Sequence, residues 1–465
     1  MVSLGLYEHA TPLAPPLSSV VREALQQVQG NILRPHGRNH AAHLFVRFTA
    51  HPPAVRGWLR ALAQDVTSAY QQLEESQRYR HSGQSGRVFV HVALSASGYT
   101  HLGLRPAAPT GFRDQAFLAG MKAAQHRLND PPTPAWERGY RQRLDAMLLL
   151  ADDQEERLRQ HTEVVLKQLE PYAELCAIDY GHVLRNAQGE HIEHFGYVDG
   201  ISQPRFFASD LTPAGAPGAQ VPRWDVAAAP GLALVPDPYG RKGALGRSLD
   251  SGSFLVFRKL EQYVRTFKAR EQALAQALGL SRTDAERAGA LAVGRFRDGT
   301  PVVLQPTPGQ PTNNFTYDTD PEGARCPLQA HIRKMNPRQT GVPQIVRRGI
   351  SYGARQPTSW EAQSLAELPA RGVGLLFMCY QASITRQFEF LQQTLANDPH
   401  YPRGYEAGID PLIGQPGGSG SGRQLWPEPW GSPRAQQHPF DFAGVVKLQG
   451  GEYFFAPSLP FLRTV

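Results

Sequence analysis

The sequence predicts an α+β protein made of two ferredoxin-like halves with antiparallel β-sheets. Three observations lead to that class. Strand-like and helix-like segments alternate over the first 200 residues in a β-α-β-β-α-β series. The series pauses at a stretch rich in Pro, Gly and Ala (209–224), which reads as a linker or long loop. It then restarts and runs to the C-terminus, with helices set against antiparallel strands.

The first 30 residues read as a tail and a short helix that Gly30 is placed to end. HLFVRF (43–48) has the apolar, β-branched and aromatic content of a strand. Residues 55–76 carry apolar side chains at close to 3.6 spacing and predict one helix. A strand is expected at 88–95, a helix at 116–128, a buried strand at 146–153, an amphipathic helix at 154–170 and a fourth strand near 192. Beyond the linker, 252–260 predicts a strand and 261–280 a helix that Gly279 terminates. Then come a hydrophobic strand at 372–381, a helix at 385–398 and a closing strand pair at 445–457 about a Gly-Gly turn. The expected domains are 1–208 and 209–465, the second with a long insertion.

At 465 residues the chain exceeds one ordinary core, and 41% hydrophobic with 19% charged residues marks a globular protein. The net charge of +7 is diffuse, with no dense Lys/Arg block, which argues against a nucleic-acid partner. Cys176, Cys326 and Cys379 are far apart with no CxxC pair, so neither a disulfide framework nor a structural zinc site is expected. A reducing compartment fits. The N-terminus lacks a basic and apolar leader and no run of about 18 apolar residues occurs, which predicts a cytoplasmic protein with no membrane span. There is no G-x-S-x-G, Walker loop, H-E-x-x-H or Rossmann glycine triplet.

Four clusters carry candidate chemistry, and each has an ordinary structural explanation beside it. FGYVDGISQPRF (195–206) contains Asp199 in an Asp-Gly pair, which alone is a surface turn. CPLQAHIRKMNPR (326–338) places His331 in a short helix stopped by Asn336-Pro337; one of 16 histidines is usually just a polar residue. IVRRGISYG (345–353) reads as a basic edge strand or as a source of a buried Arg that stabilises an anion. In GLLFMCYQASITRQFEF (374–390), Leu375 and Phe377 face one way on a strand, and Glu389 on the next helix is a solvated carboxylate or a hydrogen-bond acceptor for a histidine.

Taken in order, these clusters resemble the dye-decolorising peroxidase family. VQGNIL (28–33), ALSASGYTHLGL (93–104), GRFRDGTP (294–301) and the ending GGEYFFAPSLPFL (450–462) add to the likeness, which runs from about residue 28 to the end. The long interval between Asp199 and His331 resembles the longer-insert branch. The resemblance implies one haem b per chain, held in the C-terminal half with His331 as proximal iron ligand. It makes Asp199 the distal acid–base group and Arg347, in preference to Arg348, the distal cation. Leu375 and Phe377 shape the distal pocket, and Glu389 is the carboxylate behind the proximal histidine. Arg333 is the candidate partner of a haem propionate. Leu328 departs from the Phe common in the family after Cys-Pro, and residues 207–325 match poorly in places.

The implied activity is reduction of hydrogen peroxide and oxidation of dyes, phenols or other organic reductants through a ferryl intermediate, by a monomer or dimer. The residue types suit it. One axial imidazole leaves the other haem face open, a carboxylate makes that imidazole more basic, an acid shuttles a proton, and a fixed cation stabilises charge on the breaking bond. For bulky reductants, Trp360 is the first candidate electron relay, with Tyr352, Trp426 and Trp430 behind it. The competing reading keeps the haem and changes the task, to a haem carrier or a haem-processing, chlorite-dismutase-like protein.

Overall fold

The computed structural model describes residues 5–211, 227–243, 246, 248–354, 364–417 and 420–465. Most of the expected linker and Trp360 lie outside the described residues.

The first four strands are β1 (His40–Phe48), β2 (Phe89–Leu94), β3 (Ala146–Asp152) and β4 (Ala173–His182). They pair antiparallel in the order β4-β1-β3-β2. Helices α1 (Pro52–Leu62) and α2 (Ala69–Ser82) connect β1 to β2, and α3 (Glu155–Leu169) connects β3 to β4. The same plan repeats with β5 (Ser251–Gln262), β6 (Ile350–Tyr352), β7 (Gly374–Gln381) and β8 (Val446–Ala456), in the order β8-β5-β7-β6. Both units are therefore ferredoxin-like, as the restarted series implied. Their sheets do not stay separate. Tyr352 of β6 pairs with Gly181 of β4, and Phe455 of β8 pairs with Leu94 of β2, closing an eight-stranded barrel. Closure removes two pairs of open edges that would otherwise need protection. Its interior is filled by aromatics, among them Phe45 and Phe257 with ring centres 4.6 Å apart.

Four elements differ from expectation. The expected helix 55–76 is two helices, because Thr67 leaves the helical path to hydrogen-bond Val90, and Ser68 then caps α2 through Gln71 N–H. The expected helix 116–128 breaks at Gly120, whose φ of 77° ends one short helix and begins another. The fourth strand of the first unit is Ala173–His182, whereas His191–Ile192 pairs with Leu184–Arg185, outside the barrel sheet, and Ile192 also bridges Val198. The C-terminal segment is one strand, not a pair. Gly450 and Gly451 lie at a bulge, where Cβ atoms would meet the Tyr140 side chain and the Phe257 carbonyl at 2.3 Å each. Close packing, not a turn, requires glycine there.

The long connection from β5 to β6 holds α4 (Val264–Ala277) and the short helix α5 (His331–Met335). With Phe195, Trp426 and Phe442 it forms a second apolar core beside the barrel. Among the described residues, no helix is long and apolar enough to cross a membrane.

Candidate active site

Between the second core and the C-terminal strands lies a cavity with about 290 Å³ open to the centre of a water-sized sphere. Three connections supply its functional side chains: the segment after β4, the β5–β6 connection and the β7–β8 connection.

Asp199 comes from the first. Phe195 anchors that segment by stacking on Phe267 at 4.2 Å, and the Glu193 carboxylate accepts the N–H groups of Phe195 and Tyr197. Burial holds the Glu193 carboxyl above the usual range. The backbone is pinned further by Val198 N–H to Arg297 O and Asp199 N–H to His191 O. Gly200 has φ 80°, a left-handed conformation that suits glycine, and the chain bends just after it at Ile201–Ser202, so that Asp199 and Gly200 form part of the cavity wall.

His331 comes from the second connection. It is the first residue of α5 and does not sit mid-helix. Two buried cations fasten the helix. Arg333 donates to Asp320 Oδ2 and to the carbonyls of Cys326 and Asp320, and Lys334 donates to the carbonyls of Leu395 and Asp398. With those residues turned away, His331 and Ile332 line the cavity. His331 Nδ1 lies 2.7 Å from Oδ2 of Asp410, a fully buried carboxylate from the third connection. Asp410 Oδ1 accepts the N–H groups of Leu412 and Ile413 at 2.8 and 3.0 Å. With Asp410 as the acceptor, Nδ1 is the donor, and the tautomer with its hydrogen on Nδ1 keeps its lone pair on Nε2.

The expected carboxylate behind the histidine is thus corrected from Glu389 to Asp410. Phe388, Leu391 and Gln392 line the cavity, and Glu389 turns to another face of its helical segment. There it receives Arg127 at 2.8 Å and the Tyr453 hydroxyl at 3.0 Å. Arg333 is corrected likewise. Its guanidinium is occupied by Asp320 and backbone carbonyls, and it does not line the cavity.

Arg347 lies on a two-residue strand paired with Cys379 of β7. Strand alternation sends Arg347 to the cavity and Arg348 inward, where Arg348 donates to the carbonyls of Asn31 and Ile32. Arg347 meets Asp199 Oδ1 at 3.4 Å and the Ser202 carbonyl at 3.3 Å. Side-chain exposures of 37% and 41% make this a loose ion pair, free to rearrange around a ligand. Leu375 and Phe377 alternate with buried residues on β7 and also line the cavity. Of the relay candidates, Trp426 is fully buried with Nε1 on Phe440 O, so it offers no surface contact. Trp430 Nε1 bonds Val302 O, and the Tyr352 ring lies under Lys259.

Arg295, which sequence reasoning passed over, is a buried cation on the cavity wall. Its partners are the carbonyls of Gly299 and Thr312 and the Asn313 amide oxygen. Among the described residues no carboxylate pairs with it, although burial works against the cation. Its position in GRFRDGTP was the one available signal.

The comparisons agree with one another. The family model described as "DyP dimeric alpha+beta barrel domain" matches residues 27–176, and "Dyp-type peroxidase, C-terminal" matches 247–402. The multifunctional dye peroxidase DyP2 of Amycolatopsis sp. is 40% identical over 456 residues, 95% of this chain and 96% of that protein. The chain belongs to the dye-decolorising peroxidase family. It is accordingly a haem-dependent peroxidase. The solved structure of Amycolatopsis DyP2 superposes on it with a TM-score of 0.89, at 38% identity, covering 98% of this chain and 99% of that one. The DyP-type peroxidase of Anabaena sp. gives 0.84 at 39% identity, covering 95% of each. A deferrochelatase of Yersinia pestis matches over only 99 residues, 21% of this chain and 20% of that protein, at 34% identity, and the non-peroxidase haem-handling reading is not favoured.

This family implies haem, and the peroxidase's cavity suits it. Among the described residues one imidazole nitrogen of His331 has no protein hydrogen-bond partner, apolar side chains such as Ile332, Leu375, Phe377 and Leu412 surround the space, and Arg295 offers a buried positive charge to an anionic group. Among the described residues no cluster of three or more His, Cys, Asp or Glu could hold a bare metal ion.

Proposed function

We propose that one haem b per chain would be held through His331 Nε2. Arg295 would pair with a propionate, and Asp199 and Arg347 would handle peroxide. The observation that carries the reading is the histidine locked to buried Asp410 in the same cavity as the loose Asp199–Arg347 pair. When bound, haem would supply the redox chemistry of peroxide reduction.

The chain's own residues do the rest. Asp410 keeps the Nδ1 hydrogen in place and makes the imidazole a stronger donor. Asp199 takes a proton from one peroxide oxygen and returns it to the departing one. Arg347 stabilises the negative charge that grows on that departing oxygen. Leu375 and Phe377 restrict water. Dyes, phenols and other organic molecules serve as reductants. The working unit spans two halves, 1–208 and 209–465, and the protein acts in the cytoplasm.

Stopped-flow absorption after one equivalent of hydrogen peroxide tests the assignment. Arg347→Leu slows the first Soret change by about 10²–10³, and Asp199→Ala by about 10² or more. Both variants retain haem. If both react at the wild-type rate, the roles are wrong.

A further inference from the structure

Once Asp410 is recognised as the partner of His331, the buried Glu389 has no role in holding the haem ligand. Its surroundings are specific. Glu389 is almost fully buried and accepts the hydroxyl of Tyr453 at 3.0 Å. Arg127 donates to both Glu389 oxygens, at 2.8 and 3.0 Å, and is itself 47% exposed. Tyr453 is fully buried on β8, and its ring meets Phe388 edge-on at 6.3 Å. Phe388 lines the cavity and lies 6.2 Å from Phe377, which also lines it. Tyr453 therefore stands one ring behind the cavity wall, with a carboxylate on its proton.

A phenol loses an electron readily only if its proton has somewhere to go, and a base within hydrogen-bond reach provides that. Burial pushes the Tyr453 hydroxyl well above its ordinary range, so at rest it keeps the proton. Other buried tyrosines lack one part of this arrangement. Tyr140 bonds Asp179, and Tyr380 bonds His91, but the ring partners of both lie away from the cavity wall. Tyr197 lines the cavity, but its hydroxyl has no hydrogen-bond partner among the described residues.

We propose that Tyr453 is an internal electron donor of this peroxidase, with Glu389 as its proton acceptor and Arg127 as the cation that holds the carboxylate in place. In the step, Tyr453 gives one electron to the cofactor oxidised by peroxide, and its hydroxyl proton passes to Glu389. The products are a neutral tyrosyl radical, a protonated Glu389 and a cofactor reduced by one equivalent. An organic reductant later returns the electron, and Glu389 returns the proton. The site so stores one oxidising equivalent inside the protein when no reductant is at hand.

The inference rests on the peroxidase reading and is tested on the haem-loaded full chain. The protein is mixed with one equivalent of hydrogen peroxide, without reductant, and frozen for electron paramagnetic resonance. An organic radical is expected whose hyperfine structure narrows when the protein is made with ring-deuterated tyrosine. Tyr453→Phe should abolish most of that signal, and Glu389→Gln should diminish it while leaving the ring in place. Tyr140→Phe and Tyr380→Phe should leave it unchanged. Haem loading of each variant is checked by its Soret band. Should Tyr453→Phe not load haem, Glu389→Gln decides. A radical of wild-type intensity in either loaded variant, or one lost in Tyr380→Phe instead, overturns the proposal. A wild-type Soret band that does not respond to peroxide would instead overturn the peroxidase reading.

Discussion

Replacing Asp410 by Asn should weaken haem binding even though the two side chains have the same shape. In the native protein one carboxylate oxygen takes the His331 Nδ1 hydrogen and the other takes the N–H groups of Leu412 and Ile413. Asn has one acceptor and one donor end, so it cannot serve both sides. If its oxygen stays on the two N–H groups, its NH2 opposes the Nδ1 hydrogen. The imidazole must then move that hydrogen to Nε2, the nitrogen proposed to bind iron. If the amide turns over, two backbone donors lose their acceptor, at about 1–3 kcal/mol each for buried groups. The protein takes the cheaper course, and either way binding suffers. A loss of about 10–100-fold is expected, or about 1.4–2.7 kcal/mol. Titration of the apoprotein with haem, followed at the Soret band, measures it. Glu389→Gln, the alternative partner that sequence order suggested, should leave the affinity unchanged. Equal affinities for D410N and the wild type, or an equal loss in E389Q, would refute the reasoning.

Two further outcomes follow from buried charge. Arg295→Met should weaken haem binding by about 1.5–3 kcal/mol, the usual worth of a hydrogen bond to a charged group. That penalty should vanish with haem dimethyl ester, which has no propionate charge; a penalty that persists with the ester would assign Arg295 a purely structural role. Stability should fall with acid in a definite window. Burial, the largest cause, lowers His36 to about 3, His43 to about 4 and His91 to about 3, so all three are neutral when folded. Their stabilising contribution is complete above the unfolded value of about 6.5 and is lost as pH falls from there toward those folded values. Each adds about 1.4 kcal/mol per pH unit to the slope. His43, buried beside Phe257, isolates one proton: His43→Leu should flatten urea-derived stability between pH 6 and about 4.5 by that amount, and an unaltered slope would contradict it.

The ordered motifs were legible because each is local. The glycine-dependent backbone at 199–200 and the Leu375/Phe377 face follow from rules that reach only a few residues along the chain, and the choice of Arg347 over Arg348 followed from the motif's own short spacing in the family. The two ferredoxin-like units were legible for a similar reason, since strand and helix periodicities are properties of short windows. β4 was missed because its strand is half exposed, and Cys, Asp, Tyr and Gly blur its alternation. Other features depend on residues that meet only after folding. Asp410 stands 79 residues from His331, and its own neighbourhood, an Asp before Pro, signals nothing but a turn. Glu389 carries a motif-like position yet faces away, because a shift of one residue on a helix rotates a side chain by about 100°. Arg333 and Arg295 look alike in sequence. The first is neutralised by Asp320 and the second, among the described residues, is held by uncharged oxygens against the cavity, a distinction that arises when the β5–β6 connection folds over the barrel. Closure of the two sheets into one barrel depends on single residue pairings, Tyr352 with Gly181 and Phe455 with Leu94, between segments more than 150 residues apart. Local pattern can specify which residues a peroxidase needs, but the partners that set their charge and direction are brought to them only when separate connections fold together.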